Sequence, residues 1–123
     1  MATISDYVLD AALSKLDTEA DRIDITSQEA TTYAEATSTY TLGNSTSLSF
    51  GAPADGDVSG RKTTAAAITD GSVTGTGTAT HFAIVDVSAT RLLATGSLSA
   101  SQAVTTGNSF SLAEFDVEIP DPA

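Results

Sequence analysis

Between His81 and Val87 the chain reads His-Phe-Ala-Ile-Val-Asp-Val, an apolar run that lacks the polar alternation of a half-exposed strand. The run is too short for a buried helix of ordinary length and suits a strand covered on both faces. The chain must therefore build a sheet with material on either side, and this run is expected to be its central strand. Elsewhere the apolar spacing has period two. Ile23 and Ile25 alternate with Arg22, Asp24 and Thr26, Leu48 and Phe50 with Ser47 and Ser49, and Phe115, Val117 and Ile119 with Glu114, Asp116 and Glu118. Tyr40 with Leu42, Thr64, Ala66 and Ile68, a Gly/Thr strand with Val73, the return strand Arg91–Ala94, a strand from Leu98 to Val104, and Phe110 with Leu112 complete the set. Gly43-Asn44 is expected to turn a hairpin, Gly51–Gly60 to form a loop, and Asp70-Gly71 to be the strongest short turn.

One segment departs from this pattern. Leu9, Ala12, Leu13 and Leu16 fall at i, i+3, i+4 and i+7, with Ser5 placed to cap and Asp6 in the first turn, so a helix is predicted from Ser5 to Leu16. Asp10, Ser14 and Asp17 lie off its apolar stripe. One helix followed by short strands with polar turns predicts a mainly β fold: an antiparallel β-sandwich or barrel-like domain with one N-terminal α-helix. At 123 residues a single domain is expected, 1–123, with a helical segment at 1–20 and a β-domain at 21–123. The core should centre on Phe82, Ile84, Val85, Leu92, Phe110, Leu112, Phe115, Val117 and Ile119.

Composition narrows the function classes. The chain has no Cys, which excludes disulfides, thiolate metal sites and cysteine nucleophiles. Five Lys and Arg against 16 Asp and Glu give a net charge of −11, which repels a nucleic-acid backbone. No apolar run nears the roughly 20 residues that cross a bilayer, and Met1–Asp6 lacks the marks of a secretory signal. A protein made in the cytoplasm, with no nucleic-acid or membrane partner, is the expectation.

His81 is the only histidine, and Thr80 and Asp86 are the nearest candidates for a triad around it, but position 81 lies on the other face of a strand from both. It is read as a structural residue. Asp55-Gly-Asp57-Val-Ser59-Gly60 opens like a calcium loop, yet the position due a bidentate Glu is Ala66, so a polar bend is the preferred reading. Asn44-Ser-Thr46 fits the glycosylation pattern by chance, and Gly75-Thr-Gly77 has no Lys or helix behind it to hold phosphate. No enzyme, cofactor or metal is expected. Two patches suit docking: the helix face of Leu9, Leu13 and Leu16, and the basic pair Arg61-Lys62.

The blocks Thr32-Tyr-Ala-Glu-Ala36, Gly51-Ala-Pro-Ala-Asp-Gly-Asp57, Ser59-Gly-Arg-Lys62 and Thr78-Ala-Thr-His-Phe-Ala-Ile-Val-Asp86 carry a resemblance. It continues through Leu92-Leu-Ala-Thr-Gly96, Gln102-Ala-Val-Thr105, Gly107-Asn108 and Phe115-Asp-Val-Glu-Ile-Pro120. Across nearly its whole length the chain resembles a family of small structural proteins of tailed-bacteriophage virions. The resemblance implies a non-enzymatic virion component. It is expected to be a head decoration or cement protein, bound to the major capsid protein lattice or other virion proteins as a homo-oligomer; the alternative is a tail or head-tail connector component. It brings no catalytic residues.

Overall fold

The computed structural model describes residues 4–120 and is mainly β, with one N-terminal helix and antiparallel sheets. The chain forms two compact units. The first takes its described residues from 4–19, 49–67 and 113–120, the second from 20–48 and 68–112.

Unit 1 pairs helix α1, Asp6–Glu19, with a three-stranded antiparallel sheet. The helix runs one turn past the predicted Leu16, and Lys15 and Glu19 pair at 2.9 Å on that turn. Ser5 precedes the helix as expected, its carbonyl accepting the Val8 and Leu9 N–H groups. Leu9, Leu13 and Leu16 are buried, whereas Ala12, placed in the same stripe by the spacing, is exposed. The sheet order is β3 (Ala54–Asp55), β4 (Arg61–Ala65), β9 (Phe115–Ile119), and α1 packs against β4. Register places Arg61, Thr63 and Ala65 with Ile119, Val117 and Phe115 on one face, and Lys62 and Thr64 with Glu118 and Asp116 on the other. Thr63 and Ala65 are buried, while Phe115, Val117 and Ile119, expected in the core, are half-buried.

Unit 2 is a six-stranded antiparallel sheet that curls into a half-barrel. Its strands are β1 (Arg22–Thr26), β2 (Thr41–Ser45), β5 (Ile68–Val73), β6 (Gly77–Asp86), β7 (Arg91–Val104) and β8 (Ser109–Leu112), in the order β7-β6-β1-β2-β5-β8. The apolar run of β6 is covered on both faces from Phe82 to Asp86, as its composition demanded. It lies second from the edge, however, and the middle of the sheet belongs to β1 and β2.

Strand β1 departs furthest from its sequence pattern. Asp24 and Thr26, expected on a wet face, are fully buried. The segment after β1 causes this: Ala30 and Ala36 cluster with Ala83 and Val85, and Tyr33, Tyr40 and Leu92 pack against them, so the sheet has a cover on the side that the alternation left polar. The cover contains a π-helical turn, Glu35–Thr39, closed by the Tyr40 N–H donating to the Glu35 carbonyl at 2.8 Å.

Two expected turns are interior strand. Gly43-Asn44 lies within β2, paired to Ile25 and Asp24 on one side and to Val73 and Ser72 on the other. Asp70-Gly71 lies within β5, where the register shifts. Any side chain at position 71 would collide with the Phe110 ring, so glycine there makes room for an aromatic. The strands expected at 91–94 and 98–104 form one strand, β7, with irregular pairing to β6.

Candidate functional site

Of the triad candidates, Thr80 and His81 are brought together, contrary to the expected strand alternation, because the β6 register shifts between Ala79 and His81, while Asp86 is engaged elsewhere. Thr80 Oγ1 donates to the Ser27 carbonyl at 2.9 Å and stands 2.9 Å from His81 Nδ1, so the hydroxyl is used in holding the loop after β1. Asp86 Oδ1 accepts the Ala89 N–H at 3.2 Å and closes the β6–β7 turn. Asn44 of the glycosylation pattern is in an interior strand, and the Gly75 N–H donates to the Leu42 carbonyl at 3.1 Å.

The loop that opens like a calcium site is a salt-bridged hairpin. Asp55 Oδ1 lies 2.6 Å from Arg61 Nη1, and Asp57 Oδ1 lies 2.7 Å from Lys62 Nζ. Each of these carboxylates is paired with a cation of the chain. Among the described residues no group of three or more His, Asp or Glu side chains is arranged to hold a metal ion.

The two patches expected to dock are both engaged inside unit 1. Leu9, Leu13 and Leu16 are 3%, 2% and 8% exposed, which makes them its core and removes them from any free face. Arg61 is a clamp: Nε lies 2.7 Å from Asp10 Oδ1 on α1, Nη2 reaches Asp10 Oδ2, and Nη1 holds Asp55 on β3. Lys62 bridges Asp57 and Asp116 at 2.7 and 3.1 Å. These partners raise the pKa of both cations: for Arg61 chiefly the bond to Asp10, for Lys62 chiefly the bond to Asp57. Asp116 is held below its ordinary value by the Thr64 hydroxyl and then by Lys62. In a chain this acidic, a basic pair beside a carboxylate-rich loop is satisfied locally before it reaches a partner.

What unit 1 does expose is a second apolar stripe. Ile4, Tyr7 and Val8 fall at i, i+3 and i+4, and at 42%, 85% and 53% exposure they face water. Helical geometry places Tyr7 and Val8 away from Leu9, Leu13 and Leu16, the exposed Ala11 extends their face, and Ile4 lies just before the helix. Asp6 and Asp10 line one flank, toward Arg61. Val58, at the tip of the β3–β4 hairpin, is 96% exposed. The sequence held the signal for the stripe, since Ile4, Tyr7, Val8 and Ala11 repeat the spacing of the leucines; a helix apolar on two sides needs two neighbours. Nothing in the spacing marked Val58. No family model, curated protein or solved structure matches this chain.

Proposed function

We propose that this protein is a non-enzymatic structural component of a tailed-bacteriophage virion, a decoration or cement protein that binds the assembled head lattice and stabilises it. The observation that carries the reading is the outward face of α1, where a helix already anchored by three leucines also holds Tyr7 and Val8 in water, with Ile4 exposed just before it. A folded unit gains nothing from such a face until another surface covers it. Burying Tyr7 and Val8 is worth on the order of 1.5–3 kcal/mol each, before the cost of association. Repeated at many sites on one shell, that energy opposes the forces that separate subunits.

The partner is specified by charge. The described residues of unit 1 carry nine carboxylates against Lys15, Arg61 and Lys62, and those three cations are all paired. A complementary surface has an apolar floor and basic residues beside it, as a shell protein with cationic seams would. The resemblance noted above supports the same assignment.

Immunogold labelling of purified virions with antibody to this chain tests the location. Gold over the head is the expected result; gold at the tail or neck replaces the reading with a tail or connector role, and unlabelled particles end it. Shells loaded with the wild-type protein should break at a higher temperature than bare shells. The Tyr7→Ser/Val8→Ser variant should leave the free protein's melting curve unchanged and lose the effect on the shell.

A further inference from the structure

We propose that the tip of the β3–β4 hairpin is a second anchor, with Val58 entering an apolar pocket rimmed by basic residues on the same shell surface that receives α1; this rests on the docking reading above. The tip is a valine held in water by bonds that do not involve it. The Gly56 N–H donates to the Gly60 carbonyl at 2.9 Å, and Gly60 has φ +70, a conformation that suits glycine. The Asp57 N–H donates to Glu118 of β9, Lys62 holds the Asp57 carboxylate, and Arg61 holds Asp55. The loop is thus fixed to both neighbouring strands and to α1 through the Arg61–Asp10 pair.

A loop fixed before it binds loses little conformational entropy on binding, and an aliphatic side chain at its apex is the group that gains from a pocket. The rim follows from the same hairpin. The Asp55 and Asp57 side chains are 90% and 64% exposed, whereas Arg61 and Lys62 sit behind them at 18% and 23%. The tip therefore presents carboxylate oxygens around an apolar point, which calls for cations around an apolar floor. A second copy of the chain is poorly equipped to supply them, because Lys15, Arg22, Arg61 and Lys62 are already paired and Arg91, the fifth cation, is also engaged. The occupant is another protein.

The test uses purified shells depleted of this protein as the probe, titrated with the full chain. Val58→Ser should weaken binding about tenfold or more without moving the melting temperature, and Val58→Ile should restore it. Wild-type binding that Tyr7→Ser/Val8→Ser weakens but Val58→Ser leaves intact overturns the second anchor and spares the docking reading. Absence of wild-type binding overturns both. A wild-type dimer by light scattering, without shells, that Val58→Ser returns to monomer assigns the tip to a second copy and overturns the proposal.

Discussion

The two units solve the problem of staying folded with different materials. All the buried hydrophobic side chains except Leu9, Leu13, Leu16 and Ala65 belong to unit 2, among the described residues. Unit 1 has a small core and laces the outer face of its sheet with Lys62–Asp57, Lys62–Asp116 and Thr64–Asp116. Its apolar groups are spent outward instead: of the large hydrophobics that stand exposed, Ile4, Tyr7, Val8 and Val58 are in unit 1 and only Val87 is in unit 2. The contrast teaches a division of labour. A unit stabilised by charge can leave apolar side chains for a partner, and a unit stabilised by its core cannot.

The strongest way to break that comparison is to attack the core of unit 2. Ile84 is fully buried in β6 and paired to Ile23. Ile84→Asp forces either an ionised carboxylate into apolar surroundings or a protonation, at a cost of about 5 kcal/mol or more, enough to unfold a typical domain. Loss of the strand signal in circular dichroism is expected; a soluble variant with native chemical shifts in unit 2 would show that this unit does not depend on its core.

Unit 2 holds one buried ion pair of its own. Asp24 takes Arg22 in a two-pronged contact, 2.7 Å to Nε and 2.8 Å to Nη2, and accepts the Thr41 hydroxyl at 2.6 Å. The hydrogen bonds to Asp24 are the main reason that the Arg22 pKa is raised. Asp24→Ala should cost about 3 kcal/mol, because it strands Arg22 beside the cover, while Arg22→Met/Asp24→Leu should recover most of that loss. Chemical denaturation of the two variants measures both figures. A double variant no better than the single would mean the pair is part of what sets this strand's position.

These residues also show where the sequence stopped being readable. The mainly β class, the N-terminal helix, the two-sided burial of Phe82 to Asp86 and the strands at 109–112 and 115–119 follow from local periodicity, which acts through the same residues it describes. Asp24 and Thr26 were placed on the wrong side because their burial depends on Ala30–Tyr40, a cover that is remote from the strand's own pattern. Its start was nevertheless marked: Thr32-x-x-Glu35 is a capping-box signature, and the Thr32 hydroxyl accepts the Glu35 N–H at 3.1 Å while Glu35 accepts the Thr31 N–H at 2.8 Å. Asp70-Gly71 misled because a glycine that admits the Phe110 ring reads the same as one that turns a hairpin. On α1 the leucine stripe was legible, but Leu9, Leu13 and Leu16 are buried by the chain's own fold; a stripe alone does not say whether its own fold or a partner covers it.

Solution conditions sharpen the comparison further. Asp116 in unit 1 has its pKa lowered by Thr64 and Lys62, so it contributes stability above the ordinary carboxylate value of 3.8 and loses it as pH falls through the lowered value. Lys62 has its pKa raised, so its contribution is complete below its ordinary 10.5 and is lost only as pH climbs through the raised value. Unit 1 should hold from about pH 4 to beyond pH 10.5 and loosen on either side. Asp70 in unit 2 is also lowered, by Ser47 and then Ser45, so acid touches both units. Salt should separate them, because exposed pairs are screened and the buried Arg22–Asp24 pair is screened less. Hydrogen exchange at 1 M against 0.05 M NaCl should show faster exchange in β4 and β9 with little change in β1; equal change would remove the distinction between the units.

The smallest effect is a gain. Thr26 Oγ1 is buried without a hydrogen-bond partner on a strand paired at both edges, so its hydroxyl was stripped of water for no return. Thr26→Val keeps the β-branched shape and removes the unmet polar atom, and should stabilise the protein by about 1 kcal/mol in denaturant unfolding. In unit 1 the corresponding buried threonine, Thr63, donates to the Gly51 carbonyl at 2.7 Å. Thr63→Val should therefore destabilise by about 1 kcal/mol, because it leaves that carbonyl without its donor. The same substitution with opposite signs would show that unit 1 depends on its polar contacts while unit 2 tolerates their loss; two changes of the same sign would place the difference in the packing around each threonine.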